Sequence, residues 1–398
     1  RPAWMIHAGL FGYDHLAPRK KLEASRRVDL ETHAYGAGLK NRERSGFSYA
    51  DCIVSDARLV VLTAMDAAER GADILTRTKC TELKVEDGLW VATLEDTHTG
   101  NTRSITAAKT VNAAGPWVQK FLDQTGLSDR ETPHVRLVKG SHILVPKLYE
   151  GDHAYTIQQP DKRIVFASPY ERDFTMIGTT DEEFSGDPAD VKISAKEIDY
   201  LCTAANRNFA KTIAPSDVVW SWSGVRPLLD DGSGNASAVT RDYRLDYDER
   251  HGAPLLSVFG GKITTYRKLA EQAVNQFVVG IPWTHLKPLP GGDLPNADFP
   301  RFVKKQKLIY SDFPPDLIER YAGTYGTRMD KILQGAKSVD DLGQDFGGGL
   351  YAAEVHYLMK HEMAQTPEDV LWRRTKRGLF AGADAAKKLE TLMFPTAR

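Results

Sequence analysis

Leu256-Ser-Val-Phe-Gly260-Gly261-Lys262-Ile-Thr264-Thr265-Tyr-Arg-Lys-Leu-Ala270 is the stretch on which the fold turns. Leu255 to Phe259 reads as a short buried strand. Gly260 and Gly261 make a turn that no Cβ obstructs. Thr264 or Thr265 can cap the helix that follows, whose apolar positions Leu269, Ala273, Val274 and Phe277 recur at helical spacing. A strand, a glycine pair and a helix N-terminus present free backbone N–H groups and the positive end of the helix dipole to an anion. Lys262 adds a full charge beside them. The same residues also suit a plain strand–turn–helix junction, so the rest of the chain must decide.

Working outward, Lys109-Thr-Val-Asn-Ala-Ala114-Gly115-Pro-Trp117 is a strand ending in small residues and a Gly-Pro turn, with a helix after it. Small residues there let a cofactor backbone approach a sheet edge closely. Asp56 to Gly71 reads as a helix that Asp56 can cap and Gly71 closes. Ala72 to Lys84 and Leu89 to Leu94 read as strands joined by Glu86-Asp87-Gly88. A strand-rich block runs from Val135 to Thr180, and Ile193 to Ala210 is helical. Leu289-Pro-Gly-Gly-Asp293 is a linker, and the remainder is helix-dominated. Pro2 to Tyr13 is an amphipathic helix candidate with Trp4, Met5, Leu10 and Phe11 apolar, followed by the basic clusters Arg19-Lys20-Lys21 and Arg26-Arg27.

At 398 residues the chain can hold two or three domains. A formal net charge of −1 gives no reason to expect nucleic acid as a partner. Three scattered cysteines fit a reducing compartment and no disulfide scaffold. No run of about 18 apolar residues exists to span a membrane, and the first residues show no signal-peptide apolar region. His356 and His361 are five apart, which does not place them on one helix face, and no Cys-x-x-Cys exists, so no metal site is expected. No Gly-x-Ser-x-Gly nucleophile elbow is present either.

Other segments carry candidate chemistry. Lys139-Gly-Ser-His142 precedes an apolar strand. Imidazole suits proton removal from a secondary alcohol, because its unperturbed pKa of about 6.5 lies close to working pH; a lone histidine at a strand start is more often a structural one. Ser221-Trp-Ser-Gly-Val-Arg226-Pro and Thr240-Arg241-Asp-Tyr243 supply two arginines. Fixed arginine forks suit a phosphate monoester, although either alone also reads as a surface ion pair.

Taken together, Phe-Gly-Gly-Lys-Ile-Thr-Thr-Tyr-Arg, Ala-Ala-Gly-Pro-Trp, Lys-Gly-Ser-His, Ile177-Gly-Thr179-Thr180-Asp181, Ser-Gly-Val-Arg-Pro and Thr-Arg-Asp-Tyr resemble FAD-dependent glycerol-3-phosphate dehydrogenases, in the glycine-oxidase-like flavoprotein superfamily. Glu354, Tyr357, Glu362 and Leu371-Trp-Arg-Arg-Thr-Lys376 resemble that family's helical C-terminal domain. The resemblance implies a mixed α/β chain: an FAD-binding Rossmann-like part interleaved with an antiparallel-sheet substrate domain. The implied division is 1–133 (FAD-binding, with inserted substrate-domain segments), 134–250 (substrate), 251–288 (FAD-binding again) and 289–398 (helical).

It further implies oxidation of sn-glycerol 3-phosphate to dihydroxyacetone phosphate, with the C2 hydride passing to flavin N5 and electrons leaving to a quinone. His142, Arg226 and Lys262 become the catalytic candidates, with His142 or Lys262 as the base. Arg241 becomes the phosphate ligand, and Thr179 and Thr180 cavity walls. Cys80, Ala114, Gly115, Gly260, Gly261, Lys262 and Thr264 become FAD contacts. The implied location is the inner face of the membrane, reached peripherally from the cytoplasm through the Trp4–Phe11 helix and the Arg19–Lys21 cluster, in a possible homodimer.

The likeness fails at one point. The family opens with a strand and a Gly-x-Gly-x-x-Gly turn that holds the FAD pyrophosphate, and this chain has none; Gly347-Gly-Gly-Leu-Tyr351 is followed by Ala352 and no apolar strand precedes it. The chain starts at Arg1, so roughly a hundred residues of the dinucleotide-binding unit read as missing, and the residues present are expected to bind FAD weakly and to be inactive alone. Two alternatives stand beside the main reading. An amine or amino-acid oxidase would need a carboxylate pocket, against which the Arg226–Arg241 pairing argues. A flavin-free binding or scaffold protein would purify colourless.

Overall fold

The computed structural model describes residues 2–16, 18, 22–42, 45–230 and 242–395. Arg19-Lys20-Lys21 and Thr240-Arg241 therefore lie outside the described residues. Helix α1 (Ala3–Asp14) buries none of its residues, and Trp4 is 70% exposed and Phe11 64%. It is not amphipathic as the sequence suggested: positions 4, 5, 10 and 11 wrap round the axis instead of forming one stripe. Strands β1 (Arg26–Asp29) and β2 (Ser45–Ser48) pair antiparallel. Helix α2 (Asp56–Glu69) is followed by Gly71 at φ +98°, a left-handed stop.

A three-stranded sheet follows, of β3 (Thr78–Glu86), β4 (Leu89–Asp96) and β5 (Thr102–Ala107). Asp87 and Gly88 both have positive φ, as the tight β3–β4 hairpin requires. β3 begins at Thr78, not Ala72, because Arg77 sits at φ +53°, where extended backbone cannot continue.

β6 (Thr110–Asn112) passes through the turn Gly115–Trp117 into α3 (Val118–Thr125). A six-stranded antiparallel sheet is then built from β7 (Val135–Pro146), β8 (Tyr155–Gln158), β9 (Ile164–Tyr170), β10 (Phe174–Gly178), β11 (Glu182–Glu183) and β12 (Trp220–Leu229). β7 is its spine. β12 pairs along one side of it, from Leu144 to Val135, while β10 and β11 share the other side.

Helix α4 (Ala195–Asn208) starts at a Ser194/Glu197 capping box and covers one face of this sheet. Ile143, Val145, Val165, Ala167 and Ile177 from the strands meet Leu201, Ala204, Ala205 and Phe209 there. β13 (Tyr243–Asp248) pairs antiparallel with β14 (Leu255–Gly260), and β14 runs parallel to β6. Helix α5 (Tyr266–Asn275) follows the turn at Ile263–Thr265 and stops short of Phe277.

The chain divides into two compact units, Arg1–Ile53 with Glu82–Val91 and Thr106–Thr265, and Val54–Thr81 with Ala92–Ile105 and Tyr266–Arg398. The second unit has its core among α6 (Phe299–Ile309), α7 (Pro315–Tyr325), α8 (Met329–Leu333), α9 (Ala352–His361) and α10 (Ala385–Met393), around Ile318, Tyr321, Tyr325, Met329, Val355 and Leu389. Two buried ion pairs brace it. Arg320 grips Glu354 with both Nη atoms, each at 2.7 Å, and Arg58 pairs with Glu362. Gly347, Gly348 and Gly349, all at positive φ, form a loop whose carbonyls accept from Arg320 and Arg377. That gives this glycine run a role in bracing the helical unit.

Candidate active site

The register of β6 with β14 sets the first part of the site. Leu255 faces Thr110 and Ser257 faces Asn112 in parallel, so both strands release their chains at the same sheet edge. In sheets of this kind ligands bind outside the carboxyl ends of the strands. After β6, Ala113 and Ala114 are exposed and Gly115 turns at φ +56°, where an added Cβ would meet only open space. The Asn112 side chain fixes this turn, accepting from Ala114 N–H and donating to Val118 O. The Trp117 indole N–H donates to Asp187 at 3.1 Å. The Lys120 ammonium, the Ala189 N–H and that indole together hold the Asp187 carboxyl well below the usual range.

After β14, Gly260 and Gly261 turn at φ +79° and +99°, and a Cβ on Gly260 would lie 2.6 Å from Asp242 O. Lys262, Ile263 and Thr264 are exposed. Thr265 closes the turn, with its hydroxyl donating to Lys262 O at 2.9 Å. Two open glycine turns at neighbouring parallel strand ends fit the ribose and pyrophosphate of a dinucleotide such as FAD. Cys80, the remaining FAD candidate, is half-buried on β3.

The second part is the open face of the six-stranded sheet. Pairing aligns Thr156, Phe166, Gly178, His142 and Trp222 in one row across β8, β9, β10, β7 and β12. The His142 ring stacks on Trp222 with centroids 5.5 Å apart, and the Tyr170 ring lies 5.9 Å from Trp222. Four residues along β12 from Trp222, Arg226 stands on the same face. Its Nη1 donates to Asp181 at 2.8 Å and its Nη2 to Thr179 at 3.1 Å. Glycines make the room: a Cβ on Gly140 would lie 2.5 Å from the Arg226 guanidinium, and one on Gly178 would lie 2.1 Å from the His142 ring. At the Thr156 and Phe166 end of this row lies a groove of about 1210 Å³ that Phe47 and Tyr49 also line; His142, Trp222 and Arg226 are not part of its wall. β12 also packs against β14 and the Gly115–Trp117 turn, which joins the two parts of the site.

Strand alternation splits the sequence motifs. In Lys139-Gly-Ser-His only Gly140 and His142 face the site; Lys139 and Ser141 point to the α4 side. Thr179 reaches Arg226, but Thr180 is 1% exposed and donates to Glu197, so it is not a cavity wall. Glu197 is 1% exposed. Burial pushes its carboxyl up, but bonds from Lys139, the Ser194 N–H, Thr180 and Ser141 outweigh that and hold it down at about 2. Glu197, Asp181 and Trp222 were not singled out from sequence. The Ser194-x-x-Glu197 capping box was readable, but what Glu197 touches is set by distant strands.

Residues 2–267 match the FAD dependent oxidoreductase family, and residues 282–396 match the C-terminal domain of alpha-glycerophosphate oxidase. The chain belongs to the FAD-dependent oxidoreductase family. Among its relatives, the glycerol-3-phosphate dehydrogenase of Pseudomonas aeruginosa is 51% identical over 96% of this chain and 74% of that protein. The D-erythritol 1-phosphate dehydrogenase of Brucella abortus is 48% identical over 95% and 76%. The aerobic glycerol-3-phosphate dehydrogenase of Escherichia coli is 45% identical over 98% and 78%. The crystal structure of the glycerol-3-phosphate dehydrogenase from Bacillus halodurans, complexed with FAD, superposes with a TM-score of 0.74 at 28% identity, over 88% of this chain and 71% of that one.

Proposed function

We propose that the enzyme oxidises the C2 hydroxyl of sn-glycerol 3-phosphate to give dihydroxyacetone phosphate. FAD, when bound, supplies the two-electron acceptor for the C2 hydride. His142 takes the hydroxyl proton on a ring nitrogen. Arg226, steadied by Asp181 and Thr179, donates to the C2 oxygen as charge develops there, and Lys262 adds a second cation. Arg241 clamps the phosphate. Ala114, Gly115, Gly260, Gly261 and Thr264 contact the FAD ribose and pyrophosphate side, and Cys80 meets the adenine through its backbone. Residues 134–250 serve substrate, and 251–288 return to the cofactor. The observation that carries the reading is the shared open face of His142, Trp222, Arg226 and Thr179 beside two glycine turns.

Electrons pass on to a quinone in this reading. No helix among the described residues is long and apolar enough to cross a membrane. In this reading the quinone is met at a bilayer surface on the cytoplasmic side. The exposed Trp4 and Phe11 of α1 are suitable contacts for such a surface. A homodimer belongs to the same reading and is checked by light scattering.

The Brucella abortus relative supports a second substrate, D-erythritol 1-phosphate, which has the same phosphate and an oxidisable secondary hydroxyl with one more carbon. Steady-state turnover of the FAD-loaded enzyme with a dye acceptor separates them. The first reading expects kcat/KM to be highest for sn-glycerol 3-phosphate and to collapse for glycerol. A higher value for D-erythritol 1-phosphate selects the second.

A further inference from the structure

Behind the open face, one carboxylate ties together the segments that carry the site. Glu197 Oε1 accepts from Ser141 Oγ and from Thr180 Oγ1, each at 2.7 Å. Its Oε2 accepts from Lys139 Nζ at 2.7 Å, Ser194 N–H at 2.8 Å and Ser194 Oγ at 2.9 Å. Ser141 commits its only hydroxyl proton to Glu197, so Ser223 is the donor in their 2.8 Å contact. Thr180 also accepts the Ser141 N–H at 3.0 Å. Helix α4, strands β7 and β12 and the loop after β10 thus converge on two buried oxygens.

Each residue held there is flanked by residues of the opposite face. Ser141 lies between Gly140 and His142, and Ser223 between Trp222 and Gly224. Thr180 lies between Thr179 and Asp181, the two acceptors of Arg226. We propose that Glu197 is a positioning residue: through Thr180 and Ser141 it fixes the Thr179–Asp181 loop and the β7–β12 register, and so aims Arg226 and His142 at the substrate. The proposal rests on the function stated above. An amide is a poorer substitute, because it gives Lys139 no counter-charge and its NH₂ either faces Lys139 Nζ and the Ser194 N–H, donor against donor, or replaces the oxygen to which Ser141 and Thr180 donate. Freed from Thr180, the loop would let the Arg226 fork swing, and a shift of about 1 Å in such a group can cost about 100-fold in rate.

The test uses the FAD-loaded protein at full length, with any dinucleotide-binding segment that belongs to it. Glu197→Gln is expected to lower kcat per bound flavin by about 10–100-fold, and Thr180→Val, which removes one hydroxyl at constant shape, by about 3–10-fold. KM should change less than kcat in both. A Lys139→Met/Glu197→Leu variant, which removes both charges of the buried pair, should recover part of the melting temperature lost in Glu197→Gln but not kcat. Wild-type kcat in Thr180→Val and Glu197→Gln, or kcat restored together with stability in the double variant, would overturn the proposal. If Glu197→Gln does not fold, Thr180→Val decides. If the unaltered enzyme turns over neither polyol phosphate, the substrate reading has failed. The crystal structure of Thr180→Val then decides the positioning: Thr179 and Asp181 displaced from Arg226 supports it, and unchanged contacts overturn it.

Discussion

Gly178 decides where His142 can stand. An added Cβ would lie 2.1 Å from the imidazole Cδ2, well inside van der Waals contact, so any larger residue must displace the ring, which Trp222 flanks on its other side. If His142 is the base, its loss and its displacement should look alike. His142→Ala is expected to lower kcat by about 10²–10⁴ and to erase the acid limb of kcat/KM. Gly178→Ala should lower kcat in the same direction at normal FAD content. Stopped-flow flavin reduction against pH checks both. A persistent acid limb in His142→Ala with unimpaired reduction would remove His142 from the chemistry and leave Lys262 as the base.

The turn after β14 works as an element. Gly260 combines a left-handed φ of +79° with an approach to Asp242 O that no Cβ tolerates. Gly260→Ala is therefore expected to cost about 1–3 kcal/mol locally and to lower FAD retention, read as flavin absorbance per protein after gel filtration. Strands and their glycine turns were the elements most legible in the sequence: Leu255–Phe259 is apolar but for Ser257 and Ile143–Val145 is a continuous apolar run, and composition and punctuation suffice to find them. Arg226, Thr179 and His142 were reachable through motif resemblance. Two kinds of information were not local. Alternation turned Thr180 and Lys139 away from the site, which needs register to see. Glu197 was not singled out: locally Ser194-x-x-Glu197 is only a capping box, and its strand partners are fixed by how α4 lies on β7. α1 misled for the opposite reason, since Trp4, Met5, Leu10 and Phe11 do not make a stripe unless their angles agree.

Across the molecule, stability is concentrated in buried charge that must stay paired. Glu354 is fully buried and accepts from Arg320 twice and from Tyr325. Glu354→Ala would leave Arg320 uncompensated and is expected to destabilise by about 3–5 kcal/mol, measured by urea unfolding. Glu197 gives the first unit an acid limit. Its folded pKa of about 2 lies below the unfolded carboxylate value of about 4.3, so its stabilisation is complete above the unfolded value and lost as pH falls toward 2. Melting temperature followed between those values should fall less steeply in Glu197→Gln. The central claim is that this enzyme passes a C2 hydride from a polyol phosphate to bound FAD. Anaerobic mixing of the FAD-loaded enzyme with sn-glycerol 3-phosphate, unlabelled and deuterated at C2, tests it directly. The account predicts bleaching of the flavin band at about 450 nm, a property of the cofactor, that is measurably slower with deuterium. A band that stays unbleached by polyol phosphates but is reduced by an amine or amino acid would contradict it.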